Sequence, residues 1–168
     1  MKKFLLLFLL PGAIHFACAD SVAIRVTGNI LGSTCMVDSG SKNASVNMGK
    51  ATSGQFRQVG AMGEWVDFQM SLSNCPASIT QVTSTFNGTA DADAPNYFAS
   101  TGTGTGVGLE LSTGDHNKTL SAGSEIATPV NSSDGTVTLP LAARYVATTG
   151  NATAGTFTSV VQVTFTYE

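Results

Sequence analysis

Few side chains in this sequence offer covalent or acid–base chemistry. Asp91 and Asp93 stand two residues apart, and a pair of carboxylates is what glycosidic bond cleavage needs. Their neighbours Ala92, Ala94 and Pro95 read as a strand running out into a loop, where both acids are solvated. His116 follows Asp115 in an apparent turn. A Ser-His-Asp relay needs a histidine held in an apolar setting, and no such setting surrounds it in the sequence. Gly102, Gly104, Gly106 and Gly108 imitate a phosphate-binding loop, yet no Gly-Lys-Ser/Thr follows and the repeat contains no lysine. Asn43, Asn87, Asn117, Asn131 and Asn151 each head an Asn-x-Ser/Thr triplet, as chance supplies in a chain this rich in Ser and Thr. No catalytic residue, metal site or cofactor is expected.

Cysteine chemistry depends on what is removed first. Lys2 and Lys3 precede an unbroken apolar run from Phe4 to Leu10, Pro11 and Gly12 break it, and Ala17-Cys18-Ala19 offers small residues for cleavage between Ala19 and Asp20. Residues 1–19 therefore read as a secretory signal; as an uncleaved anchor the run falls short of the roughly 20 apolar residues that a bilayer requires. Cys18 leaves with the signal, so Cys35 and Cys75 remain as an even pair in an exported chain, which points to a disulfide. The 41-residue loop it closes is worth about 4 kcal/mol in the chain-entropy treatment. A metal site is the rival reading, but the two thiols lack partners, the only histidine of the mature chain being His116 beside Asp115.

The rest of the mature chain, 149 residues from Asp20, suits a single domain. Its six basic residues are scattered and face eleven acidic ones, a net charge near −5, so no basic stripe exists to neutralise phosphates and nucleic acid is excluded as a partner. Charged residues make up 11%, against about 25% in average proteins. Thr, Ser and Gly take their place, as suits strands.

Alternation with period two recurs throughout. Val22, Ile24, Val26, Gly28 and Ile30 share one face of an N-terminal arm. Ala44, Val46 and Met48 repeat the pattern, as do Val66 to Leu72, Val82 to Phe86, Val107 to Leu111, Val137 to Tyr145 and Phe157 to Tyr167. Asn87-Gly88, Gly114-Asp115, Asp134-Gly135 and Gly150-Asn151 punctuate the runs as turns, and Ser100–Gly108 reads as a Gly/Thr-rich loop. About seven short strands and no helical period of ten residues predict an all-β, immunoglobulin-like sandwich. Nothing follows Tyr167 to cover the outer edge of the last run, while the arm upstream of Cys35 has no strand to join.

In its cysteine and C-terminal patterns the sequence resembles the pilins of the chaperone–usher pathway. The resemblance rests on Gly32-Ser33-Thr34-Cys35 after the alternating arm, Leu72-Ser73-Asn74-Cys75-Pro76, Gly155 fourteenth from the end, and the penultimate Tyr167. Val82 to Asp91 and Val163 to Tyr167 look most like the minor tip adaptors of type 1 fimbriae. The resemblance implies an incomplete sandwich lacking its C-terminal strand, a donor-strand arm over residues 20–31 and a pilin domain over 32–168. It implies a groove along Gly155, Phe157, Val161, Val163, Phe165 and Tyr167, filled first by a periplasmic chaperone that also holds the Glu168 carboxylate. At an outer-membrane usher, a neighbouring subunit's arm then replaces it. Its partners are the chaperone, the usher and neighbouring fimbrial subunits, with a tip adhesin as a candidate neighbour and no transmembrane segment; its destination, through the periplasm, is a fimbria on the bacterial surface. A major shaft pilin and a carbohydrate-binding adhesin are the alternatives. Burying Val22, Ile24, Val26 and Ile30 would contribute roughly 6–12 kcal/mol, set against the ordering of a flexible arm. Gly28 interrupts that face, either for close backbone approach or as a kink.

Overall fold

The computed structural model describes residues 34–168 together with Arg25 and Thr27. Ala19, Asp20 and the arm residues Val22, Ile24, Val26, Gly28 and Ile30 lie outside the described residues.

Alternating side chains favour strands because one face can be buried while the other meets water. Eight strands result: β1 (Met36–Val37), β2 (Val66–Ser73), β3 (Gln81–Gly88), β4 (Val107–Thr113), β5 (Thr119–Leu120), β6 (Ser124–Pro129), β7 (Val137–Ala147) and β8 (Val161–Tyr167). Helical structure among the described residues is confined to α1 (Ser39–Lys42) and a 3-10 turn over Ser53–Phe56. One antiparallel sheet runs β1-β2-β7-β4-β5 and the other β6-β3-β8. The chain is thus an all-β, immunoglobulin-like sandwich.

Between the sheets lie Met70 of β2, Phe86 of β3, Leu109 and Leu111 of β4, Leu139 and Leu141 of β7, and Phe98 and Leu120. Phe86 and Phe98 are fully enclosed. A second cluster gathers Leu72, Ile79, Val82 and Val137 around Cys35, which is disulfide-bonded to Cys75 as the cysteine count predicts. The bridge fixes the start of β1 to the residue two past the end of β2.

Three details depart from expectation. Asn87-Gly88 continues β3 rather than turning; a Cβ on Gly88 would lie 2.8 Å from the Phe98 ring, so the glycine serves packing. The sequence reading misses β6, whose Ser-Glu-Ile-Ala-Thr-Pro carries a single large apolar side chain on its inward face. Ala44, Val46 and Met48 alternate, yet residues 44–51 make no backbone–backbone hydrogen bond among the described residues and form no strand there.

His116 is exposed in the turn that follows β4, as its place beside Asp115 indicates. It stacks on Trp65 with ring centroids 4.6 Å apart, and its Nε2 lies 2.8 Å from Asp67 Oδ1. The Arg144 guanidinium sits 4.0 Å from the centroid of the same Trp65 ring and donates from Nε to Glu110 Oε2 at 2.7 Å. Glu110 is buried and also accepts from the Thr119 hydroxyl at 2.9 Å, so its charge is paired and hydrogen-bonded. Asp91 is a turn residue, accepting from the amides of Asp93 and Ala94.

Candidate functional site

The last strand is paired along one edge. Its register with β3 runs from Val82↔Tyr167 to Gly88↔Val161, and among the described residues no strand pairs with its other edge. Val161, Val163 and Phe165 turn inward but stay half-buried, alternating with exposed Gln162, Thr164 and Thr166. A neighbouring strand would complete their burial.

The space beside them is a groove of about 1010 Å³. One wall is formed by residues 157–163 and Phe165, the other by residues 43–49, where Val46 and Met48 are half-buried. Core side chains Phe86, Leu109, Leu111 and Leu141 line it as well, so the groove opens onto the interior of the sandwich. Among the described residues, the outer edge of β8 and the backbone of residues 44–49 thus face the same gap without strand partners, the arrangement that strand addition exploits.

A second hollow of about 660 Å³ shares Gly49, Tyr145 and Phe157 with the groove. Phe157 meets Tyr145 edge-on at 4.9 Å, and Tyr145 meets Phe56 at 6.1 Å. Burial pushes the Tyr145 phenol up from its ordinary pKa, and Tyr167 likewise.

The run predicted as one strand from Phe157 leaves the sheet before Val161, because residues 153–158 bond to the Gly/Thr repeat instead. Thr101 N donates to Thr158 O at 2.7 Å, Gly104 N to Thr156 O at 3.0 Å and Thr153 N to Thr105 O at 3.1 Å. Side chains double the link: Thr103 N donates to Thr156 Oγ1 and Thr156 N to Thr103 Oγ1, at 3.0 and 2.9 Å. A Cβ on Gly102 would collide with the Thr156 carbonyl, and one on Gly155 with Gly104. These glycines therefore serve close backbone contact at one end of the groove rather than phosphate binding.

Of the residues singled out in the sequence, Phe157, Val161, Val163 and Phe165 come together along the groove, and Gly155 lines the second hollow. Tyr167 lies apart, packed against the cluster around Cys35. Glu168 is exposed, and its carbonyl oxygen accepts from the amides of Thr80 and Gln81 at 2.7 and 3.1 Å. Sequence reasoning does not reach Ser159, which interrupts the apolar row. Its Oγ is shut off from water and has no hydrogen-bond partner among the described residues.

The family model described as Fimbrial protein matches residues 24–168, nearly the whole chain. This chain belongs to the fimbrial protein family. Protein FimG of Escherichia coli K12 is 34% identical to the fimbrial subunit over 149 residues, covering 89% of this chain and 86% of its own. The S-fimbrial adhesin protein SfaS of Escherichia coli O6:K15:H31 is 33% identical over 168 residues, 99% and 98% of the two chains. The crystal structure of the P pilus rod subunit PapA superposes with a TM-score of 0.69 at 21% identity, over 80% of this chain and 99% of that one, a likeness of fold. The fimbrial subunit is accordingly a structural component of a surface fimbria, not an enzyme. No helix among its described residues is long and apolar enough to cross a membrane.

Proposed function

We propose that this fimbrial subunit is a minor tip adaptor of a chaperone–usher fimbria, joined to its neighbours by exchanged strands. Its groove receives a neighbour's N-terminal strand, and its own residues 20–31 fill the groove of the next subunit. The observation that carries this reading is the edge of β8, unpaired among the described residues, beside an apolar groove. The contrast with β6, at the opposite edge of the same sheet, supports it. There Glu125 and Pro129 guard the strand against unwanted pairing, whereas Val161 to Tyr167 contains neither charge nor proline. A strand built this way is meant to be paired.

Before assembly a periplasmic chaperone fills the groove, and at the outer-membrane usher the incoming arm displaces it. Val22, Ile24, Val26 and Ile30 supply the apolar face of the outgoing strand, and Cys35 roots that strand in the domain. The tip-adaptor assignment is supported by the similarity to FimG along most of both chains. The similarity to SfaS favours a second reading, an adhesin, which saturable sugar binding by the assembled subunit would support.

The test is self-complementation. The mature subunit alone is expected to aggregate or unfold without cooperativity. A copy of residues 20–30 fused behind Glu168 through a short flexible linker is expected to restore a monomer with one sharp unfolding transition. A stable, cooperatively unfolding monomer without the fusion would sink the proposal.

A further inference from the structure

Ser159 is the anomaly in the groove. The inward positions of the wall are Phe157, Ser159, Val161, Val163 and Phe165, so one hydroxyl stands in an apolar row. That hydroxyl is already sealed from solvent and unpartnered among the described residues. A buried hydroxyl left without a hydrogen bond is costly. It stays so when an apolar strand closes over the groove, and is relieved when the strand brings an acceptor or donor.

This chain's own arm brings neither. The face that alternation assigns it, Val22, Ile24, Val26, Gly28 and Ile30, contains no polar side chain. Resting on the groove reading above, we propose that Ser159 is a specificity residue. It favours a donor strand carrying a hydroxyl or amide side chain opposite it, and so disfavours a second copy of this chain as donor. The residue would thereby oppose self-polymerisation and direct the subunit to a neighbour of different sequence, as a position between unlike subunits requires.

A double-mutant cycle tests this. The full mature subunit is refolded with synthetic peptides of residues 20–31, either native or carrying Thr at position 22, 24, 26, 28 or 30, and dissociation of each complex is timed. With the native subunit, Thr at one position is expected to slow dissociation relative to the other four. Ser159→Ala should remove that preference and lengthen the lifetime of the native-peptide complex by roughly 5- to 100-fold. Ser159→Thr, which keeps the hydroxyl, should retain the preference. If Ser159→Ala binds the peptides tightly but ranks them as the native subunit does, the specificity role is overturned while the groove reading stands. If no peptide enters any of the three proteins, the groove reading falls and the specificity role with it.

Discussion

Val163→Asp is the most direct probe of the groove. Val163 lies mid-strand, opposite Phe86 in the β3–β8 register, half-buried and facing the groove. With the groove empty, a carboxylate there still reaches water, so the substitution costs the isolated subunit little. Once a strand is seated, the charge is sealed in; the one cation among the described residues lining the groove, Lys42, is an exposed residue of α1 and not part of β8. The lost apolar burial costs about 1.5–3 kcal/mol, and an unpaired buried charge adds several more. A total of at least about 4 kcal/mol corresponds to roughly a thousandfold weaker complex. A fluorophore-labelled peptide of residues 20–31, followed by anisotropy, measures this with the mature subunit. Desolvation raises the pKa of the new carboxyl in the complex alone. Binding should therefore be strongest below the ordinary aspartate value of about 4 and fall away as pH rises through the raised one. Thr164→Asp, on the exposed side of the same strand, should change affinity by about twofold at most. Equal losses at the two positions, or a complex of Val163→Asp within a few-fold of native at pH 7, would refute the assignment of this face.

Three further outcomes follow from the structure. Arg144→Met leaves Glu110 buried without its cation and should cost about 3–5 kcal/mol in urea unfolding of the self-complemented protein, most of it regained by adding Glu110→Gln. Replacing both Cys35 and Cys75 by Ser should cost about 4 kcal/mol in the same assay, and reductant should no longer change the transition. Hydrogen bonds from Thr113 and Asn117 hold the Asp115 carboxyl down to about 2. Its stabilisation is thus present above pH 4 and lost as pH falls toward 2, and Asp115→Asn should flatten the acid limb of a stability profile across that window.

The fold was legible where burial writes itself into alternation. β2, β4 and β7 each place large apolar residues two apart, β3 sets Val82 and Phe86 on one face with Ser84 between them, and the structure finds all four. β1 and β5 are two residues each, too short to show a period, and β6 is identified by its pairing with β3 rather than by its composition. Half of the groove was equally plain, since Phe157, Val161, Val163 and Phe165 announce an apolar face. The opposite wall was harder to read. Ala44, Val46 and Met48 alternate as a strand does, but whether they pair depends on a segment distant in sequence. The Thr103–Thr156 link and the enclosure of Ser159 are long-range facts of the same kind. The turn at His116 was legible, whereas its stacking on Trp65 was not, because Trp65 reaches it only through the fold.

The disulfide acquires a mechanical meaning if the arm is pulled, as drag on a fibre would pull it. Tension entering at Cys35 crosses directly to Cys75 and, within a few residues, reaches β3, whose seven registered pairs grip β8. Residues 36–74 lie off that path, so the oxidised subunit resists extension along a short covalent and sheet-bound line. Reduction would place those residues in series with the force, and stretching the reduced protein should release about 130 Å of additional contour length.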